Sequence, residues 1–439
     1  MRNQSGSKKI YISVIIILVL LVTGFWLTGP DDPDADMAVE VRPEYLTYFE
    51  ENYFASRAEF LRLSSEYFRR YRGVREQHLP IASTLNADIR PDLRLPDDLR
   101  LTIDTCYIPA QKRTESLILI TSGVHGAEGL AASAVQRMLM RHMLENTDAY
   151  NLDGESVFDT VGILWVHAVN PYGVYFFRRV TENNVDLNRN FDVNDELFQT
   201  ENAGYREIRT LLNPAEPVDM GSFMHRFFAM RAVYNIAVHG MSTLRQAALQ
   251  GQYEFPEGIY FGGQDFEQQR AILEPIFRAH FPKYKSVMIL DLHTGYGERG
   301  TLHLFPNAID DPERRADMRT VFGDHPIDWG DDADFYTTHG DFSMYIMNLL
   351  SPQQKGIPMV FEYGTLDSQT TSGSILSIHN MILENQGAHY GFASDTDREA
   401  VQHRFREMFY PSSEKWRTKI IADTLALYPG VVRRFAGLN

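Results

Sequence analysis

Cysteine is nearly missing from this chain. A single one, Cys106, stands among 439 residues, so no intramolecular disulfide can form and a cysteine-rich zinc knuckle is excluded. Cys106 sits in a strand-like run at 101–108 and reads as a packing residue. Basic residues are also in short supply: 42 Lys and Arg against 58 Asp and Glu give a net charge of −16. That balance argues against nucleic acid as a partner, which calls for a basic face, and it excludes no small substrate. No G-x-S-x-G elbow is present, which removes the usual α/β serine-hydrolase signature. Internal repeats and low-complexity tracts are missing as well. What remains, 44% apolar and 23% charged residues, is ordinary for a globular protein with a sizeable core.

Residues 10–27 carry no charge and are almost wholly apolar. The run is near the length that spans a bilayer and long for a signal-peptide core. Arg2, Lys8 and Lys9 precede it, and Asp31, Asp32, Asp34 and Asp36 follow. This asymmetry keeps the N-terminus cytoplasmic. We expect a basic tail at 1–9 and an uncleaved transmembrane signal anchor at 10–28, with a cleaved signal peptide as the alternative. Either exports the body to the periplasmic or extracellular side.

A Pro- and Asp-rich linker follows at 29–43. From 44 to 84 we expect a helical lead-in, because Tyr45, Phe49, Phe60, Leu63, Tyr67 and Tyr71 recur at helical spacing. Residues 79–99 look irregular. One large domain, 85–439, then alternates strand-like and helix-like runs, which favours an α/β layered fold. Strands are expected at 101–108, 116–121, 161–169, 286–292, 301–305 and 357–362. The best helices are 129–145, 264–280, 374–386 and 396–409. The stretch 195–260, rich in charge, aromatics and proline, reads as an insertion.

Four polar clusters follow apolar strand-like runs. The first, Thr121-Ser122-Gly123-Val124-His125-Gly126-Ala127-Glu128, offers an imidazole and a carboxylate three residues apart at the mouth of a helix, where both point into one space. They supply two-thirds of a His2Glu zinc site. The second runs from Asn170-Pro171-Tyr172-Gly173 through Arg178-Arg179 to Val185-Asp186-Leu187-Asn188-Arg189-Asn190-Phe191. Its guanidiniums and amides suit gripping a carboxylate or a developing oxyanion. The third, Asp291-Leu292-His293-Thr294-Gly295, delivers an imidazole to the strand ends where open α/β sheets bind ligands. His293 would complete three protein ligands with one position left for water. The fourth, Phe361-Glu362-Tyr363-Gly364-Thr365, places Glu362 where a general base is needed.

Taken in order, H-x-x-E, N-P-x-G…R…V-D-L-N-R-N-F, D-L-H-T-G and F-E-Y-G-T resemble the zinc carboxypeptidase superfamily, the M14 metallopeptidases. The phrases Gly251-Gln252-Tyr253, Pro256-Glu257-Gly258 and Gly262-Gly263 look more like its bacterial DUF2817 branch. The resemblance covers roughly residues 85–435. It implies a three-layer α/β/α domain around a mixed, largely parallel sheet. It implies Zn2+ held by His125, Glu128 and His293, with Asp186 orienting the first of these. It further implies Asn188 and Arg189 on the substrate's terminal carboxylate, Glu362 as general base, and Arg179, or its neighbour Arg178, polarising the scissile carbonyl. A substrate-capping tyrosine has no clear match; Tyr336 and Tyr345 lie in the right part of the chain. His167, His239 and His339 read as structural.

The expectation is a membrane-anchored metallocarboxypeptidase acting on peptides or cell-wall peptide fragments. Two alternatives stand beside it. One is a zinc-dependent deacylase of N-acyl amino acids, related to aspartoacylase and succinylglutamate desuccinylase. The other is a catalytically inactive binding protein that keeps the pocket.

Overall fold

The computed structural model describes residues 33–82, 91–96, 99–307, 309–330 and 338–438. The anchor expected at 10–28 lies outside them. Among the described residues no helix is long and apolar enough to cross a membrane.

Among the described residues nine strands form in chain order: β1 Arg75–Pro80, β2 Thr102–Ile108, β3 Ser116–Ser122, β4 Asn151–Leu152, β5 Glu155–Ser156, β6 Val161–His167, β7 Ser286–Gly295, β8 Leu302–Phe305 and β9 Lys355–Gly364. β4 and β5 make a separate hairpin. The other seven form one sheet in the order β1-β2-β6-β3-β7-β9-β8. Its centre, β6-β3-β7-β9, is parallel, and antiparallel strands close it on both sides. Every residue of β3, β6 and β7 is buried, as their near-continuous apolar sequences require of strands covered on both faces.

Helices supply that cover. α1 (Tyr53–Arg70), α2 (Gly129–Glu145) and the C-terminal helix Glu414–Ala436 pack together as one layer. Helices Gln268–His280 and Phe342–Asn348 form another, meeting where Phe277 approaches Phe342 and where the Tyr345 hydroxyl donates to Glu274. A mixed sheet with a parallel centre between helical layers is the architecture expected from the sequence.

One local departure has a plain cause. β1 falls inside the lead-in expected to be helical. It is an edge strand, half exposed and ending at Pro80, so it carries no apolar run, and proline is tolerated at such an edge. Helix Glu414–Ala436 continues through Pro429, a residue that usually signals a stop.

The 195–260 insertion is helical. It contains α3 (Ala203–Leu212), a short turn of helix at Phe223–Arg226, α4 (Phe228–His239) and α5 (Met241–Leu249). These build a second apolar cluster in which Tyr205, Ile208, Leu211, Phe228 and Ala232 meet Met381 and Ile382 of α6 (Thr371–Tyr390) and Phe405 and Phe409 of α7 (Asp395–Phe409). Burying each such large apolar side chain contributes roughly 1.5–3 kcal/mol.

The parallel centre also sets the register of the site. Thr121 of β3 pairs with Asp291 of β7, and His293 of β7 pairs with Glu362 of β9. Three chemistry-bearing segments therefore leave the sheet side by side at the C-terminal ends of adjacent parallel strands, where open sheets bind ligands.

Candidate metal centre

After β3 the chain turns at Gly123, whose φ is +69°. A Cβ there would stand 2.9 Å from that of Ala168, so only glycine keeps this turn tight. His125 precedes a 3-10 turn, Gly126–Glu128, that leads directly into α2. A Cβ on Gly126 would collide with the Gly173 backbone, which shows how closely the loop after β6 presses on this turn.

The three-residue spacing sets His125 and Glu128 side by side, with His125 Nδ1 2.8 Å from Glu128 Oε1. From β7, His293 Nδ1 reaches the other oxygen, Oε2, also at 2.8 Å. Two imidazoles thus aim the same ring nitrogen at one carboxylate. The three ligand atoms lie within 4.8 Å of one another, close enough to converge on a single ion. All three residues are buried.

Each imidazole has a carboxylate behind it. His125 Nε2 lies 3.1 Å from Asp186 Oδ1, and His293 Nε2 lies 2.7 Å from Asp291 Oδ2. Asp186 is held in turn by the Asn188 N–H at 3.0 Å and by Arg179 Nε at 2.9 Å. Asp291 accepts the Thr121 hydroxyl at 2.6 Å. Such partners fix the ring and leave Nδ1 to face an ion. The donor set and its backing fit a divalent cation such as zinc.

Charge inside the cluster is tightly balanced. Burial works against the charged form of Asp186, yet the Arg179 guanidinium and His125 hold its carboxyl well below the usual range. Glu128 is lowered by His125 and His293 against the same burial. Burial would depress His293, but Asp291 and Glu128 raise it well above an ordinary imidazole. Glu362 moves the other way: burial raises it and the nearby Glu128 charge adds to the rise. Its Oε1 accepts the Tyr296 N–H at 2.9 Å.

The remaining candidates separate cleanly. Arg179 faces the cluster, donating to Glu128 Oε1 at 3.2 Å as well as to Asp186. Arg178 turns away to Glu384 at 2.8 Å and Asn184 at 3.0 Å. Asn188 and Arg189 both line the cavity described below. Asn188 Oδ1 accepts the Phe342 N–H at 2.9 Å. Arg189 directs Nε and Nη2 to the Leu249 carbonyl, at 3.0 and 2.6 Å, and Nη1 to the Asn188 carbonyl. Tyr345 is buried against Glu274, away from the cavity lining, and Tyr336 lies outside the described residues. Among the described residues the tyrosines at the cavity are Tyr260 and Tyr296. His167 is a core residue between Ser56 and Ser133, and His239 lies within 3.6 Å of Glu207. Asp291 was not among the sequence candidates, although its position two residues before His293 on a strand puts both on one face.

A cavity of about 230 Å3 opens over the cluster. Its floor is polar: His125, Glu128, Arg179, Asn188, Arg189, His293 and Glu362. Its walls are apolar. The insertion supplies Ile208, Leu211 and Leu212 from α3, Ala232 and Ile236 from α4, and Leu244, Ala248 and Leu249 from α5. α6 and α7 close the far side with Ile375, Met381, Met408 and Phe409. The insertion therefore roofs the site.

A family model described as "Protein of unknown function (DUF2817)" matches residues 67–423. No curated protein matches the chain in sequence. Among solved structures it is similar to an aspartoacylase family protein from Mesorhizobium loti, at 15% identity over 73% of this chain and 68% of that one, with a TM-score of 0.33. It is also similar to carboxypeptidase A from Helicoverpa armigera, at 12% identity over 91% and 81%, with a TM-score of 0.38. Bovine thrombin-activatable fibrinolysis inhibitor, in complex with tick carboxypeptidase inhibitor, gives 11% identity over 78% and 97%, again at 0.38. Likenesses of this strength leave the chemistry to be read from the chain's own residues.

Proposed function

The chain belongs to the DUF2817 family, and from that premise we propose that it is a zinc-dependent amide hydrolase of metallocarboxypeptidase type, anchored in a membrane by residues 10–28. The observation that carries this reading is one carboxylate, Glu128, met by Nδ1 of both His125 and His293, each imidazole backed by an aspartate. His125, Glu128 and His293 would hold the ion. A zinc ion there supplies an acidified water and polarises the carbonyl under attack.

The chain's own residues would do the rest. Glu362, beside His293 in the sheet, takes the proton of the attacking water and returns it to the leaving nitrogen. Arg179, fixed by Asp186, brings positive charge to the place where the oxyanion develops. Asn188 and Arg189 border the polar floor and orient the substrate's free carboxylate. The walls exclude water and accept an apolar group, so the scissile amide should carry a large apolar side chain or acyl group.

The apolar walls also favour a second reading, deacylation of N-acyl amino acids, in which the acyl chain fills the roofed cavity. Incubating the zinc-loaded full chain with apolar C-terminal dipeptides and with N-acyl amino acids, and quantifying the released amine, separates the two. Release that stops on chelation and returns with zinc is expected. No release from either class, with zinc bound, would leave the binding-protein reading in place.

A further inference from the structure

The roof has an outer face. Phe223, Phe227, Met230, Tyr234 and Val238 recur at intervals of three or four and are exposed along Phe223–Arg226 and α4, with Phe223 at 70%, Tyr234 at 67% and Val238 at 57%. Phe223 and Phe227 touch, their ring centroids 4.9 Å apart, so the stripe is continuous at that end. The opposite face of α4 sends Ala232 and Ile236 into the cavity. A helix apolar on both faces is not built to stand in water, and a continuous exposed stripe marks a surface that meets something else.

Charge indicates what. The chain is acidic overall, yet residues 220–253 contain no Asp or Glu. Arg226 lies exposed within the stripe. Aromatic residues with an arginine and no acidic residue in the same stretch of chain are the composition of a segment lying in a lipid headgroup layer; Glu207 of α3 meets only the end of α4, 3.6 Å from His239. Residues 10–27 of the same chain are uncharged and apolar, so the bilayer is the apolar surface within reach.

We propose that α4 and the turn before it form an interfacial roof, resting with Phe223, Phe227, Met230, Tyr234 and Val238 on a lipid bilayer. A substrate dissolved in that bilayer would then enter the cavity across a single helix. The docking surface itself does not depend on the hydrolase reading.

The test reads the depth of one side chain in the full chain, reconstituted into vesicles of phosphatidylethanolamine and phosphatidylglycerol. Tyr234→Cys is labelled with an environment-sensitive fluorophore; Cys106, which is buried, stays unlabelled in the parent protein. Lys112→Cys, exposed beyond the opposite strand ends, is the control. Label at 234 should be quenched at least twofold more by a lipid-borne nitroxide than by aqueous iodide, and label at 112 should show the reverse. Iodide reaching both positions alike would overturn the proposal. So would protection of 234 from both quenchers, which would mean that protein covers the stripe. Because no turnover is measured, either failure leaves the proposed chemistry standing.

Discussion

Asp186→Ala should weaken zinc binding without touching a ligand. Asp186 is fully buried and holds three groups: His125 Nε2, the Asn188 N–H and Arg179 Nε. Removing it takes the carboxylate from behind the His125 ring and leaves Glu128 as the one carboxylate paired with Arg179, whose Nη2 also stands 2.7 Å from His125 Nε2. Loss of a carboxylate behind a ligand imidazole typically costs 10–100-fold in metal affinity, or about 1.4–2.7 kcal/mol. Breaking a buried ion pair costs about 3–5 kcal/mol of stability, and the remaining Glu128 contact should keep this case near the lower figure. Asp186→Asn retains an acceptor for His125 and should lose less of both. The assay is competition for zinc against a chromophoric chelator at fixed pH, with thermal unfolding in parallel. Glu384→Ala is the control, because it strips the buried Arg178 of its carboxylate at a point that does not touch the cluster. It should lower stability and leave zinc affinity unchanged. The reasoning fails if Asp186→Ala binds zinc as tightly as the parent, or if Glu384→Ala weakens zinc equally.

Three further outcomes are expected. Glu362→Gln should keep its zinc and lose about 10²–10⁴-fold in kcat, read by elemental analysis and amine release on one sample. Ala232→Phe should fill the roofed cavity, at about 1–3 kcal/mol for overpacking; kcat/KM for an apolar substrate should then fall at least about tenfold, with zinc affinity unchanged. Glu267 gives a pH test: burial, and then the Glu182 charge, push its carboxyl up to about 7, above the roughly 4.3 of an unfolded glutamate. The native state therefore binds the extra proton between those values, and this residue's contribution falls as pH rises from about 4.3 to 7. Glu267→Gln should raise Tm at pH 8 relative to the parent and change it little at pH 4; an equal shift at both would contradict the assignment.

The parts of the site written in local pattern were legible in the sequence. His125 and Glu128 are three residues apart at a helix start, and His293 and Glu362 each end an apolar strand, so period and spacing alone place them. Asp291 was equally accessible, since the strand alternation that points His293 at the site points it the same way. Other features depend on contacts that no local pattern carries. The donors of Arg189 are spent on the carbonyl of Leu249, sixty residues away in the chain. Tyr345 is claimed by Glu274 on another helix. The helices of the insertion do carry an amphipathic period, most clearly α3, but the charged, aromatic and proline-containing composition of the stretch read as an irregular elaboration. β1, an edge strand closed by Pro80, was masked by its polar, half-exposed pairing with β2.

The central claim is that His125, Glu128 and His293 hold a catalytic ion. Zinc content of the purified full chain, measured by elemental analysis beside Glu128→Ala, tests it most directly. The account predicts about one zinc per chain in the parent and none in the variant. A folded, zinc-supplemented parent without metal, or a Glu128→Ala variant that keeps it, would contradict the account.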